Sequence, residues 1–383
     1  MLVAGEASGD VLGAGLARAL RARLGDRLTV VGVGGARMAE QGVVSPFDIA
    51  QLSILGLVEG LMAWRKVVRL ADATAALARR ERPDIAVLID SWGYTLRVAQ
   101  RLRRDAPDLP IVKYVGPQVW ASRPGRARTL AASVDHLLSI HAFDAPWFEK
   151  AGLGVTFVGN PALSRRFEHA DAGRFRAAIG AGPDALVLLV APGSRPAEIA
   201  RVFPPFEDAV ARLKRARPEL HVVVPVAETV AAAVKARVAA WPFTAHVVED
   251  EAAKADAMAA ADVALACSGT VTTELALAGA PMVVGYRIGA LTHAILKRII
   301  RTDCITLFNI AAGREIAPEL VQRDCTGPAL AEALERRLAD PDLRRRQRDE
   351  QFAALDRMGR GGPDPSERAA DRVLEILRER RGD

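Results

Sequence analysis

The chain is poor in cysteine. Its three thiols, Cys267, Cys304 and Cys325, are odd in number, far apart and lack any C-x-x-C spacing. That excludes a disulfide scaffold and points to a reducing compartment. No apolar run reaches the ~18 residues that a bilayer span needs. The first apolar residues lead straight into the charged turn GEASGD, so neither an anchor nor a secretory leader is expected. Six histidines form no H-E-x-x-H, and the only D-x-D pair, Asp340 and Asp342, lies in a polar helical stretch, so no metal site is expected. Excess charge is also scarce, +6 from 52 basic and 46 acidic side chains. That does not mark a nucleic-acid binder, and it suits an anionic substrate or an anionic membrane face. Internal repeats and low-complexity tracts are missing.

What the chain does have is alternation. Short β-branched runs (MLVA, LTVVGVGG, IAVLID, PIVKYVGP, HLLSIH, VTFVGN) are separated by Ala/Leu/Arg-rich stretches of helical period. A second series follows: ALVLLVAPGS, HVVVPVA, AHVVED, DVALACSG and PMVVGY. Continuous apolar strands between amphipathic helices mean parallel sheets covered on both faces. A polar stretch over 161–184 divides the series. The expected fold class is therefore α/β, with two Rossmann-like, doubly wound domains at 1–162 and 163–340 and a helical tail at 341–383.

Ligands of open α/β sheets sit beyond the carboxyl ends of the strands, so the loops there carry the candidates. Asp90 closes IAVLID and suits either a helix N-cap or a functional carboxylate. In ACSGTVTTEL, Ser268, Gly269 and Thr270 open a helix whose small residues let phosphate oxygens approach the amides, with Glu274 further along to meet sugar hydroxyls. A plain capped turn with Glu274 on a solvated face is the competing reading. In LLVAPGSR, Gly193 permits close backbone approach, Ser194 follows, and Arg195 offers a permanently charged fork to a diphosphate. GEASGD contributes Glu6, Ser8 and Asp10. GVGG (32–35) follows the second strand and lacks the G-x-G-x-x-G order, so NAD binding is not expected. YVGPQVWASRPGR places Trp120 and Arg123 on a loop, for a sugar, for a phosphate or for ordinary packing. Leu52 to Arg69, apolar with Arg65, Lys66 and Arg69 at its end, fits a bilayer interface, an acyl groove or a core helix.

Taken together, AGEASGD, VGVGG, LSILGL, IDS, YVGPQVWASR, FVGNP, APGSR, SGTVTTEL, PMVVGYR and the LFN at 307–309 resemble the lipid-A-disaccharide synthase family of GT-B glycosyltransferases. The resemblance covers nearly the whole chain in order. It implies transfer of a diacylglucosamine from a UDP carrier onto 2,3-diacylglucosamine 1-phosphate, with inversion and without metal or cofactor. It further implies that the tail crosses back onto the first domain, and that the protein works in the cytoplasm, peripherally on the inner membrane. A homodimer is among the assemblies left open. By the resemblance, Gly193, Ser194, Arg195, Ser268, Gly269, Thr270, Glu274 and Asn309 fall on the UDP side. Gly5, Ser8, Gly9, Trp120 and Arg123 fall on the acceptor side. The family pattern I-D-x-P-D-F carries a second aspartate, where this chain has Gly93; L-P-N here holds Phe308. The candidate bases are accordingly Asp90, Asp10 and Glu6, with Arg195 on the leaving group. Two other readings stand beside this one: a GT-B scaffold that binds without transferring, and a UDP-sugar epimerase.

Overall fold

The computed structural model describes residues 1–52, 60–164, 167–289 and 302–382. The chain divides into two compact units, Met1–Pro161 with Gly362–Asp383, and Ala162–Gly361.

In the first unit the described residues form one parallel sheet. Its strands are β1 (Leu2–Ala4), β2 (Gly32–Val33), β3 (Ala86–Ile89), β4 (Ile111–Tyr114), β5 (His136–Ser139) and β6 (Gly154–Phe157), in the order β2-β1-β3-β4-β5-β6. β1, β3, β4 and β5 are buried along their whole length. β1 and β3 are apolar throughout, as strands covered on both faces usually are, while β4 carries Lys113 and β5 begins with His136 and ends with Ser139. The helix Trp92–Asp105 lays Tyr94, Thr95, Val98, Ala99 and Leu102 on its buried side, the spacing of an amphipathic helix.

The second unit repeats the plan with β7 (Val187–Ala191), β8 (His221–Pro225), β9 (His246–Val248), β10 (Val263–Cys267), β11 (Met282–Tyr286) and β12 (Glu319–Val321), ordered β12-β11-β10-β7-β8-β9. β12 has no counterpart among the apolar runs read from sequence. It is a half-buried, three-residue edge strand beside β11, too short and too polar to stand out.

The tail divides between the units. Helix Pro341–Arg357 stays with the second, where Gln347 Nε2 donates to the Met282 carbonyl at 2.7 Å and Gln351 Nε2 to the Ala280 carbonyl at 3.0 Å. Helix Pro365–Arg381 belongs to the first. There it packs on helix Ala7–Leu24, with Arg23 Nε donating to Asp371 Oδ1 at 2.6 Å.

Candidate active site

Each sheet reverses its strand order at one place, and such a switch point leaves a crevice between the loops of its two strands. In the second unit the reversal falls between β10 and β7, which pair in register through Ala266 and Ala191. A cavity of about 390 Å3 opens there. Gly193, Ser194, Arg195, Ser268, Gly269, Thr270 and Glu274 all line it. Two helices begin at its wall, Pro196–Ala216 after Arg195 and Thr270–Leu277 after Gly269, and neither N-cap residue supplies a capping side chain. Their first amides and positive dipole ends are what an anion seeks.

The Arg195 loop is held from below. Glu198 Oε1 accepts from Arg195 Nη1 at 3.0 Å, and Thr229 Oγ1 donates to the Ser194 carbonyl at 2.9 Å. Gly193 has φ +113°, and a Cβ there would lie 2.8 Å from Glu198 Oε2. Arg195 keeps its side chain 78% exposed. Beneath the loop, burial pushes the Cys267 thiol up to about 12, so it lines the cavity as a neutral group. Lys254 also lines it, buried and paired with Glu251 at 2.6 Å; sequence reasoning passed it over because it sits mid-helix among alanines.

In the first unit the reversal lies between β1 and β3. The first turn of helix Ala7–Leu24 brings Ser8 Oγ to 2.7 Å from Asp90 Oδ2. Asp90 and Ser91 both adopt the left-handed region, with φ of +50° and +42°. Helix Trp92–Asp105 starts at Ser91 without a side-chain cap, so the Asp90 carboxylate is not spent on capping it. Gly5 and Gly9 make room for this turn. A Cβ on Gly5 would lie 2.8 Å from Ser91 Oγ, and one on Gly9 3.3 Å from the Ile89 carbonyl oxygen. Glu6 is exposed at the start of helix Ala7–Leu24. At Gly93 a Cβ would meet nothing within 4 Å, so an acid could be housed there, and none is.

Three candidates have other work. Asp10 is buried, and its two oxygens accept from the amides of Gly35 (2.7 Å), Arg37 (2.9 Å) and Met38 (3.0 Å), so the carboxylate is occupied in capping a short helix. Asn309 is fully buried and does not line the cavity. Its Oδ1 accepts from Ile316 N and Ala317 N, and its Nδ2 donates to the Ala317 carbonyl and to Glu319 Oε1, so it ties the 309–319 segment to β12. Trp120 is buried as well. It donates Nε1 to Asp144 Oδ1 at 2.8 Å and packs edge-on against Phe143, which makes it an anchor for its loop rather than an open platform. Burial holds Asp144 up at about 6. Arg123, at φ +51°, is exposed on the same loop.

A family model described as lipid-A-disaccharide synthetase matches residues 1–366. The lipid-A-disaccharide synthase of Rhodospirillum centenum is 43% identical over 379 residues, spanning 99% of this chain and 94% of the relative. Among solved structures, a putative UDP-N-acetylglucosamine 2-epimerase from Listeria monocytogenes is similar with a TM-score of 0.61 at 14% identity, over 99% of this chain and 95% of that one. MurG of Acinetobacter baumannii is similar with a TM-score of 0.57 at 16% identity, over 98% of both chains. At these identities the structural likeness establishes the fold.

Proposed function

This chain belongs to the lipid-A-disaccharide synthetase family, and on that premise we propose how its residues carry out the transfer. The donor is UDP-2,3-diacylglucosamine and the acceptor 2,3-diacylglucosamine 1-phosphate; the products are the β-1,6-linked disaccharide 1-phosphate and UDP. In a single inverting displacement the acceptor hydroxyl oxygen bonds to the anomeric carbon. The bond from that carbon to the diphosphate breaks, and its electron pair leaves on the phosphate oxygen. Asp90 takes the hydroxyl proton, general-base work for which its carboxylate is placed by Ser8. The departing diphosphate gathers negative charge, which the two helix N-termini and Arg195 neutralise.

The observation that carries this reading is the gathering of Gly193 to Arg195, Ser268 to Thr270 and Glu274 around one cavity at the β7/β10 switch point. Purified protein given both lipid substrates is expected to release UDP and form disaccharide in equal amounts. Binding of UDP without turnover would instead support a scaffold that has lost transfer.

Gly193 gives a sharper test of the diphosphate loop. A side chain held in the left-handed region costs ~1–2 kcal/mol, enough to weaken affinity roughly tenfold if the loop relaxes when empty. Titration calorimetry of Gly193→Ala with UDP is expected to show that loss. Unchanged affinity would mean the loop does not touch the ligand.

Peripheral association with the anionic cytoplasmic face of the inner membrane belongs to the same proposal. Among the described residues no helix is long and apolar enough to cross a membrane. The Leu52 to Arg69 stretch lies partly outside them, since 53–59 are not described. Helix Gly60–Glu81 presents Trp64, 54% exposed, beneath the Arg97 guanidinium at 3.7 Å, and Arg65 and Arg69 are exposed beside it. A basic residue near an anionic surface contributes about 1 kcal/mol. Flotation with phosphatidylglycerol vesicles is therefore expected to fall roughly tenfold or more for Arg65→Ser/Arg69→Ser. Equal flotation of the variant would place the membrane contact elsewhere.

A further inference from the structure

Lys113 is the charged residue of β4, in a run that otherwise reads PIV…YVG. It is 2% exposed, with Leu88 of β3 and Leu137 of β5 beside it in register. Its ammonium group reaches the turn after β3, where it donates to the Asp90 carbonyl oxygen and, at 2.8 Å, to Thr95 Oγ1. Thr95 Oγ1 in turn lies 2.8 Å from the Asp90 carbonyl and 3.0 Å from that of Ser91. On the same strand β4, the next residue holds the turn by its backbone: Asp90 N donates to the Tyr114 carbonyl at 2.9 Å.

Two features of this arrangement need a common explanation. Asp90 and Ser91 are consecutive non-glycine residues in the left-handed region, a conformation that persists only where the surroundings over-determine it. A lysine is also buried where the neighbouring strands place leucines, although an apolar side chain would fill such a site without desolvating a charge. From this geometry we infer that Lys113 is a positioning residue for the transfer reaction: by gripping the Asp90 carbonyl from inside the unit, it locks the left-handed turn and aims the carboxylate at the acceptor hydroxyl. The inference rests on Asp90 being the base.

Burial lowers the Lys113 ammonium to about 7, against the upward pull of the two carboxylates that face it, Asp90 first and then Glu6. The unfolded chain keeps this proton up to 10.5 while the native state releases it near 7. Across that window the unfolded state binds more protons, so the native state gains stability as pH rises through it. Lys113→Met lacks this gain. Its melting temperature is expected to match or exceed the parent's below pH 7, with the difference shrinking toward alkaline pH.

The experiment is a cycle of Lys113→Met, Asp90→Asn and the double variant, followed by kcat, KM and thermal melting. Lys113→Met is expected to lose kcat roughly ten- to a hundredfold, the scale of a small misplacement of a reacting group. KM should hold within about twofold, the melting temperature should not fall below the parent's, and the double variant should be no slower than Asp90→Asn alone. Thr95→Val, which cuts the hydroxyl out of the same clamp, should lose kcat in the same sense and serves if Lys113→Met does not fold. Full kcat in Lys113→Met or Thr95→Val beside a slow Asp90→Asn overturns the inference and leaves the base in place. So does a kcat loss matched by a lower melting temperature, or one that adds to that of Asp90→Asn. A fast Asp90→Asn removes the base assignment itself.

Discussion

Asp90→Asn is expected to lower kcat by about two to four orders of magnitude, the range that a positioned general base contributes. Asparagine has nearly the same shape and can still accept the hydrogen bond from Ser8 Oγ that Asp90 receives at 2.7 Å. It cannot take a proton. The loss should therefore fall on kcat, with KM for both substrates and the melting temperature close to the parent's. The controls sharpen the result. Glu6 is exposed at the start of its helix, so Glu6→Gln should be mild. Asp10→Asn should instead destabilise, because the three amides it caps lose their charged acceptor. A kcat loss under about tenfold in Asp90→Asn would mean that the reaction runs on positioning and leaving-group stabilisation with no strong base.

The second large effect concerns the leaving group. Arg195→Met is expected to reduce kcat/KM by roughly 10²–10³, the loss seen when one donor to a developing anion is removed. Because Arg195 is 78% exposed and its partner Glu198 sits only three residues on, the pair adds ~0–1 kcal/mol to folding at most. Melting should barely move, which separates this effect from structural damage. Arg195→Lys should recover part of the rate, since it keeps the charge but not the planar fork that matches a diphosphate. Undiminished kcat/KM in Arg195→Met would place the diphosphate away from this loop.

Much of this could be read from the sequence, for a physical reason. A strand buried on both faces is apolar at most positions, and β7 and β10 are so at every one, which leaves an unmistakable run. Ligands of open α/β sheets sit beyond the strand ends, so APGSR and CSGT could be picked out by position alone, and both line the cavity at the β7/β10 switch point. β12 escaped because an edge strand with Glu319 in it buries too little to impose a pattern. Glu319 itself accepts the amides of Ile305 and Thr306, which no spacing rule announces. Individual side chains were harder to assign than loops. A motif says that Asp10, Asn309 and Trp120 sit near the ends of strands or helices, whereas three-dimensional packing decides that an oxygen caps a helix or an indole is stapled to Asp144. Lys113 left one trace, a cation inside an apolar run, where a long charged side chain is rarely fully buried without a partner.

Hydrogen exchange, measured residue by residue with and without saturating UDP, tests most directly whether the β7/β10 switch point grips a nucleoside diphosphate. Amides over 193–198 and 268–274 are expected to slow strongly while the β1 and β3 loops of the first unit keep their rates. Protection confined to the first unit, or none in either loop of the second, would contradict it.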